Sequence, residues 1–317
     1  MPAFTFGAGV QWIEAYEAAR QHNRAIVGAA SRSVGAAGGW LAGGGHSVIA
    51  PNYGLGTPNS PVWTKSYSLN CFVGVDNVLE IMIVTADGGH VIANAYRNED
   101  LFWALRGGGG GTWGVVTSVT YKTHPSTPLS SANLLANSTN ASSTKNILAQ
   151  IIRLTPSLVE QGYGGYCFIF AGQIQLGFLS PNVTAEETQA TFLPFFEFAA
   201  SQPGLSVQNS TATYRDSWSW YETLFVASAA LVGTPSEMSS WLLPQDIIQT
   251  GKPEDLAAEL LDVTSRFAYL LVFLHNLGKT RVWILTLSPA ASSLADRFHV
   301  WAPILWDLIL FGERAWP

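Results

Sequence analysis

The first 125 residues combine one stretch of helical hydrophobic spacing with several short strand-like runs. Over Ala8–Asn23, small apolar residues recur at roughly helical intervals with charged residues between them, which predicts an amphipathic helix. Val78–Thr85 is a β-branched run, and an Asp-Gly turn separates it from a second strand over His90–Ala95, so a β-hairpin is expected. The other elements predicted here are a helix over Asp100–Leu105 capped by Asn98 and a strand over Val115–Lys122.

After residue 125 the glycine-rich pattern gives way to alternating helices and strands. Leu129–Lys145 is rich in Ser, Thr and Asn, which predicts an exposed linker. The predicted helices beyond it are Asn146–Leu158, Ala185–Ala200, Glu237–Trp241 and Pro253–Val263. The predicted strands are Gly165–Gly172, Gln173–Leu179 and Leu205–Tyr214. The chain therefore divides into a first domain over 1–125, a linker over 126–145, a second domain over 146–273 and an unassigned segment over 274–317.

The composition narrows the class of protein. A hydrophobic fraction of 48% in 317 residues indicates a packed globular chain rather than a disordered one. The net charge is −6 and no basic stripe is present, which argues against nucleic acid as a partner. No apolar run reaches the ~18 residues of a membrane span. The two most apolar stretches, Phe267–Leu274 and Trp301–Phe311, are therefore interpreted as core segments.

Signals for a cellular compartment point in different directions. The N-terminus has neither a basic region nor a long apolar run, so it does not resemble a signal peptide. Two cysteines, Cys71 and Cys167, define no disulfide framework and leave the redox compartment open. N-x-S/T sequons, which matter only on the secretory route, occur at Asn137, Asn140, Asn182 and Asn209. Either these sequons arise by chance from the abundant Ser and Thr, or the protein is secreted.

Two glycine-rich segments carry the candidate chemistry. The first reads Val-Gly-Ala-Ala-Gly-Gly-Trp-Leu-Ala-Gly-Gly-Gly-His-Ser at 34–47. Glycines admit positive φ and remove side chains, so the backbone can approach a flat or phosphorylated ligand and offer it N–H groups. The alternative for such a stretch is a set of tight turns under a packed core, and a lone His46 is more often structural than catalytic.

The second segment reads Asp-Leu-Phe-Trp-Ala-Leu-Arg-Gly-Gly-Gly-Gly-Gly-Thr-Trp-Gly-Val-Val at 100–116. It contains Gly109-x-Gly111-x-x-Gly114, which nominally matches a dinucleotide fingerprint. That fingerprint follows a strand and opens a helix, whereas here a helix precedes and a strand follows. The NAD interpretation is therefore discounted.

Together and in this order, these segments resemble the FAD-binding domain of the vanillyl-alcohol-oxidase/berberine-bridge-enzyme superfamily, most of all its fungal FAD-linked oxidases. The similarity is clear over residues 4–125 and looser from there to about 265. Within the looser part, Trp-Leu-Leu-Pro at 241–244 is the most similar short stretch. The resemblance implies an α+β fold: a PCMH-type FAD-binding domain, here partial, followed by a substrate domain whose antiparallel sheet roofs the flavin. It implies FAD as cofactor.

The resemblance also implies which residues line the cofactor. Backbone of the first segment would contact the flavin, and Gly114–Val116 would lie against the adenine-side half of the cofactor. Tyr53 and Gly54 would lie nearby. The cofactor-binding residues carried over in this way are Val34, Gly35, Gly38, Gly39, Gly44, Gly45, His46, Ser47, Tyr53, Gly54, Gly114, Val115 and Val116. No metal ligand and no catalytic base is assigned. Tyr214 and Tyr221 are weaker candidates for a substrate pocket, because aromatic side chains commonly line such pockets.

The chain departs from the family pattern in four places. It starts after the subdomain that carries the pyrophosphate loop and the covalently linking histidine, and the family's C-terminal segment is not recognisable after about residue 275. Ser31 stands where members with a cysteinyl flavin link have cysteine, so non-covalent FAD is expected. In family members Tyr-Gly-Leu-Gly, here at 53–56, is followed directly by Val-Asp-Asn-Val-Leu, here at 75–79. Thr57–Gly74 separates the two in this chain and is interpreted as a surface loop or as translated intron sequence.

The predicted function is an FAD-dependent oxidase that takes a hydride from a small organic substrate onto flavin N5, with O₂ as the acceptor. The partners expected are that substrate and O₂, without nucleic acid or membrane. Two other readings stay open. One is a truncated, non-catalytic remnant of such an enzyme, and the other is a secreted glycan-binding protein, suggested by the sequons and the 12 Trp residues.

Overall fold

A computed structural model describes most of the chain. The described residues are 1–53, 74–170, 172–224, 236–243, 248, 251–266, 269–275 and 281–289. Gly54, Cys71 and nearly all of the predicted loop at 57–74 lie outside them, as does the predicted core segment Trp301–Phe311. The loop and intron hypotheses therefore stay predictions.

The first domain is built on a four-stranded antiparallel sheet in the order β1-β5-β3-β4. Its strands are β1 (Ala3–Gly7), β3 (Val78–Val84), β4 (His90–Asn94) and β5 (Val115–Lys122). Its helices are α1 (Trp12–Gln21), α2 (Gly39–Ala42), α3 (Ala50–Tyr53) and α4 (Glu99–Leu105), with a 3₁₀ turn over Gly74–Asn77. A two-stranded ribbon of β2 (Arg24–Ala25) and β6 (His124–Pro125) closes the domain.

Alternating apolar residues place this sheet against α1. Ile81 and Ile83 of β3 are buried in one cluster with Trp12 and Ala15 of α1. The β3–β4 hairpin forms as predicted, and Gly88 at its turn has a φ of +82° that only glycine adopts without strain.

Two predictions for the first domain need correction. The predicted helix over Ala8–Asn23 begins only at Trp12, because Ala8 N donates to Thr117 O (3.0 Å) and so continues the strand pairing of β1. Asn98 precedes α4 but does not cap it. Its side-chain Nδ2 donates instead to Ile92 O at 2.7 Å, which ties the helix start to β4.

The second domain is a seven-stranded sheet in the order β10-β7-β9-β8-β12-β13-β11, with all adjacent strands antiparallel. Its strands are β7 (Leu129–Ser138), β8 (Gly164–Phe170), β9 (Gln173–Pro181), β10 (Leu205–Tyr214), β11 (Ser236–Leu243), β12 (Tyr269–His275) and β13 (Arg281–Pro289). Its helices are α5 (Ala141–Glu160), α6 (Ala185–Ala200), α7 (Ser217–Leu224) and α8 (Pro253–Arg266). Side chains of α5, α6 and α8 pack on one face of this sheet in a single cluster.

The predicted linker is the largest error of the sequence interpretation. Residues 129–138 form β7, which is hydrogen-bonded on both sides, to β10 and β9. Its Ser130 and Ser131 are almost fully buried, because their backbone groups are satisfied by neighbouring strands and a hydroxyl is small enough to pack there. The segment is therefore part of the sheet and not an exposed connection.

The C-terminal part also differs from the prediction. Residues 236–243, of which 237–241 were predicted as a helix, form strand β11, paired with β13. Strand β13 falls within the segment left unassigned over 274–317. The sheet of the second domain therefore extends past residue 273. The domain limits at single-residue precision stay predictions.

The two domains meet along a third apolar cluster. Val48, Ile49 and Ala50 of the first domain pack there with Leu179 of β9 and Trp220 of α7. The segment directly after the first glycine-rich motif thus lies against the sheet of the second domain.

Candidate flavin site

The first glycine-rich segment is held by backbone hydrogen bonds to the start of α1. Trp12 N donates to Val34 O (2.9 Å), and Ala36 N donates to Val10 O (2.8 Å). Gly44 and Gly45 have φ values of +104° and +78°, and a Cβ on Gly45 would press into the ring of Trp40. The sequence folds this way because glycine alone tolerates both the positive φ and the close approach of an indole.

The second glycine-rich segment lies directly against the first. Gly109 N donates to Ala42 O at 2.9 Å, and a Cβ on Gly110 would lie 3.3 Å from the Cα of Gly39. Gly114 has a φ of +144°, and a Cβ there would clash with the carbonyl oxygen of Val84. Residues about 70 positions apart in the sequence thus form one surface of backbone and small side chains.

A cavity of about 180 Å³ opens where the two segments meet. Its lining includes Gly38, Gly39, Ala42, Gly110, Gly111, Gly114 and Val116. A Cβ added to Gly39 or Gly111 would meet no atom within 4 Å, so the missing side chains leave open space. No charged side chain of the described residues lines the cavity, which favours a ligand approached by backbone N–H groups and apolar contacts.

Arg106 directly precedes the run of five glycines in the second segment. Its guanidinium lies 4.4 Å from the ring centroid of Phe102, and its buried Nε has no hydrogen-bond partner among the described residues. Burial lowers the pKa of Arg106 and the nearby Asp76 raises it, although an arginine stays charged at any physiological pH. The arrangement places a cation beside the glycine run.

A second, narrower cavity of about 40 Å³ lies between the two domains. It is lined on the first domain by Tyr16, Gly28 and Ser47, and on the second by Tyr166, Trp218 and Tyr221. Tyr16 donates its hydroxyl to Ala29 O at 2.7 Å. Burial raises the pKa of Tyr16, of Tyr166 and of Tyr221, so these phenols are protonated at neutral pH and act as hydrogen-bond donors rather than bases.

The structure divides the predicted cofactor residues between these two places. Gly38, Gly39, Gly114 and Val116 line the larger cavity. Ser47 is buried at the smaller one, and the half-buried His46 lies edge-on to Tyr166 with 5.2 Å between ring centroids. Val34, Gly35, Gly44 and Gly45 form the scaffold between the two cavities and line neither.

Two predicted cofactor residues, Val115 and Tyr53, line neither cavity. Val115 is 70% exposed and points away from the cavity that Val116 lines. Tyr53 is bonded through its hydroxyl to Thr127 Oγ1 (3.0 Å) and stacks near His124, while Gly54 lies outside the described residues. Tyr221 lines the smaller cavity, whereas Tyr214 packs at the domain contact without lining either cavity.

Sequence reasoning missed Gly110, Gly111, Tyr166 and Trp218. The two glycines stood in the quoted motif, and the signal was available in their run of five. Tyr166 and Trp218 belong to the second domain and come to the site only through the packing of the domains. No sequence spacing indicates that contact.

Three further features concern metal binding, membrane insertion and the thiol of Cys167. Within the described ranges, no group of three His, Cys, Asp or Glu side chains could hold a metal ion, and no helix is long and apolar enough to cross a bilayer. Cys167 is fully buried, and burial raises the pKa of its thiol to about 12.

Of the sequon residues, Asn137, Asn182 and Asn209 are exposed, while Asn140 accepts from Ser142 N as the cap of α5. Secretion and glycosylation stay predictions.

Comparison with curated proteins connects this geometry to a family. The chain is 32% identical over 261 residues to the FAD-linked oxidoreductase ffsJ of Aspergillus flavipes, covering 82% of this chain and 38% of that protein. It is also 32% identical over 295 residues to the FAD-linked oxidoreductase apf9 of Gibberella fujikuroi, covering 86% and 46%. No protein-family model matches. The chain thus spans less than half the length of these relatives.

Solved structures agree on the fold. The VAO-type flavoprotein MtVAO713 of Myceliophthora thermophila C1 is 25% identical, with a TM-score of 0.76 over 94% of this chain and 55% of that one. The chain belongs to the vanillyl-alcohol-oxidase/berberine-bridge-enzyme superfamily of FAD-linked oxidoreductases. Berberine bridge enzyme of Eschscholzia californica shares the fold, with a TM-score of 0.66 at 15% identity over 98% of this chain and 62% of that one. The α+β fold with an antiparallel second domain is confirmed.

FAD is the cofactor of this superfamily, and the larger cavity fits part of such a group. Its floor lacks side chains at Gly39 and Gly111, which is what a flat or phosphorylated group needs in order to reach backbone. At about 180 Å³ it is below the ~300–1,000 Å³ of a complete ligand site. The residues present therefore suit a portion of FAD, and the individual contact residues stay predictions.

Proposed function

We propose that this chain supplies the glycine-rich half of the FAD site and the substrate domain of an oxidoreductase acting on a small organic molecule. The observation that carries the proposal is the meeting of two glycine-rich segments around one cavity, whose lining from the described part of the chain holds no charged side chain. FAD, when bound, would supply an acceptor for a substrate hydride at N5 and a route for the electrons to O₂.

The chain's own residues would position the cofactor. Gly39 and Gly111 leave room for it against bare backbone, and Val116 adds an apolar wall. The larger cavity is rimmed by α2 and the smaller one by Ser47, so the first glycine-rich segment would run along the cofactor from one cavity to the other. Filling either end with side-chain atoms should exclude it.

The cofactor is proposed to be held without a covalent bond to this chain. Ser31 replaces the cysteine of family members that carry a cysteinyl link, and a serine hydroxyl lacks the nucleophilicity of a thiolate. The buried thiol of Cys167 lies in the core of the second domain and is no substitute.

Substrate deprotonation has no assigned base. Tyr16 and Tyr166 remain protonated because burial raises their pKa values, so neither is proposed as that base, and the Tyr16 hydroxyl already donates its hydrogen to Ala29 O. Aromatic walls from both domains would exclude water from the reacting carbon.

The test is the visible absorption spectrum of the full chain purified with added FAD, repeated on the supernatant after acid precipitation. A flavin band that moves entirely to the supernatant is the expected result and supports non-covalent binding. Hydrogen peroxide should then appear during aerobic turnover of an accepted alcohol. A colourless, monodisperse protein would overturn the proposal and favour a remnant that has lost its cofactor.

A matched pair of variants tests the location. Gly39→Val fills the open space of the larger cavity and should weaken FAD binding at least about tenfold, since each ~1.4 kcal/mol lost is tenfold in Kd. Gly7→Val is the control, because a Cβ on this exposed strand residue also meets no atom within 4 Å but does not line the cavity. Equal FAD affinity of the two variants would contradict the proposed location.

A further inference from the structure

Strand β10, at one edge of the large sheet, is the longest edge strand in the described part of the chain. It has ten residues, or about 34 Å of backbone, whereas the edge strands of the smaller sheet, β1 and β4, have five residues each. Its ladder runs to β7 alone, and its outer side makes no backbone hydrogen bond to any residue that the structure describes. A row of free N–H and C=O groups is a template for pairing with another strand.

The sequence of β10 lacks the features that commonly protect such an edge. It reads Leu-Ser-Val-Gln-Asn-Ser-Thr-Ala-Thr-Tyr, without a charged residue or a proline, and its register with β7 runs through all ten residues without a bulge. The opposite edge strand of the same sheet, β11, carries Glu237 and is shorter. Charge, proline, bulges and short length are the usual means of keeping an edge unpaired, so the edge at β10 is open to a partner strand.

The side chains of β10 are compatible with pairing to an identical strand. Leu205 and Val207 pack against the core of the second domain, which fixes the orientation of the strand. Hydroxyl and amide groups both donate and accept hydrogen bonds, so each can face its own kind, and no like charges would meet. The exposed side chains are all of this type: Ser206, Gln208, Asn209, Ser210 and Thr213.

Helix α6 adds an apolar contact beside this edge. Gln189 of α6 accepts a hydrogen bond from the hydroxyl of Thr211 at 3.0 Å, so this side of the helix lies over β10. Leu193 follows one turn later on the same side and is 42% exposed. No other large apolar side chain in the described part of the second domain is as exposed. The polar edge is therefore flanked by an apolar residue whose burial would favour association.

We propose that β10 pairs in an antiparallel arrangement with β10 of a second copy of this chain, so that two seven-stranded sheets join into one. Identical antiparallel strands are related by a twofold axis perpendicular to the sheet, and such a contact closes after two copies. The axis keeps both α6 helices on the same side of the joined sheet and turns Leu193 of each copy towards the other. The inference is independent of the proposed function, because it involves neither cavity.

Sedimentation equilibrium of the full chain, purified with added FAD and studied over about 1 to 100 µM, measures this association. Unglycosylated protein is used because the sequon at Asn209 lies on the pairing edge. A monomer–dimer equilibrium is expected. Gln208→Lys places one positive charge per copy near the axis and should raise the dimer Kd about threefold to tenfold at low ionic strength, with recovery in high salt. Gln21→Lys, an exposed glutamine at the end of α1, is the matched control and should leave the Kd unchanged.

Cysteine cross-linking locates the contact independently of charge. Opposite residues of an antiparallel pair have Cα atoms about 4.5–5.5 Å apart, which is within reach of a disulfide. In a Cys71→Ser background, Gln208→Cys, Asn209→Cys and Ser210→Cys are oxidised separately. The position nearest the axis should form a disulfide between copies, whereas Gln21→Cys should not.

Four outcomes decide the matter. A dimer that weakens in Gln208→Lys but not in Gln21→Lys, and that cross-links through β10, supports the inference. A chain that stays monomeric throughout the concentration range overturns it, and slow hydrogen exchange of all β10 amides in that monomer would show that another part of the chain covers the edge. A dimer that neither Gln208→Lys nor the β10 cysteines affect overturns the location. Assemblies that grow beyond two copies overturn the symmetric pairing.

Discussion

The two domains differ in what limits the packing of their cores. In the first domain, backbone closely approaches aromatic rings at several places, as Gly28 does against Trp12 and Tyr16. The core of the second domain contains a group of rings on one helix, Phe192, Phe195 and Phe196 of α6.

This contrast has a consequence for function and for mutation. A domain that presents backbone to a cofactor keeps its side chains small near the site, so it tolerates added atoms poorly. A domain that serves as a platform fills its interior with side-chain volume, so it tolerates removed atoms poorly. The first and third of the next three experiments test this difference, and the second tests the buried histidine of the first domain.

Removing a large side chain from the core of the second domain should have the largest effect on stability. Phe195 is 2% exposed within α6, and Phe195→Ala should lower the free energy of unfolding by about 3–5 kcal/mol through lost burial and the cavity left behind. Urea denaturation followed by circular dichroism measures the change. Leu193→Ala on the same helix is the control, because Leu193 is 42% exposed and should cost much less.

Lowering the pH should have the second-largest effect on stability, through protonation of the buried His124. His124 is 8% exposed, its Nε2 lies 2.7 Å from Asn77 Oδ1, and its ring is 4.5 Å from that of Tyr53. Burial, with Lys122 and Arg24 nearby, lowers the pKa of His124 to about 4.

Since the unfolded chain binds this proton at a pKa near 6.5, stability is fully present above that pH and is lost as pH falls towards about 4. The loss should reach about 2–3 kcal/mol at ~1.4 kcal/mol per pKa unit. Unfolding at pH 7 and pH 4.5 measures it, and His124→Gln should flatten the dependence. The exposed His90 provides the control, and a His90→Gln variant that flattened it equally would contradict the assignment.

Overfilling the first domain should have the smallest of the three effects. A Cβ on Gly28 would clash with the ring of Trp12, so Gly28→Ala should cost about 1–3 kcal/mol as the indole shifts. Gly9→Ala introduces the same methyl group where no atom lies within 4 Å. Equal thermal midpoints for the two variants would contradict the account of a core limited by close backbone approach.

Particular elements show how far the sequence could predict this fold. The strand over Val115–Lys122 and the helix over Ala185–Ala200 have the predicted bounds, since each combines a clear period with a clear stop. Strand β7 was predicted as a linker because its Ser and Asn residues resemble a loop, while its burial comes from two neighbouring strands. Strand β11 was predicted as a helix because its partner strand, β13, is remote in the sequence, so a local pattern does not show the pairing.

The sequence by itself determined the family and the two glycine-rich segments of the candidate flavin site, because a glycine requirement is local and is written directly in the residues. Only the tertiary structure decided that Gly39 and Gly110 meet and that the ring of Tyr166 packs against that of His46. Those contacts depend on strand register and on the packing of one domain against the other. Both are set by the summed burial of many side chains, which no short run of residues contains.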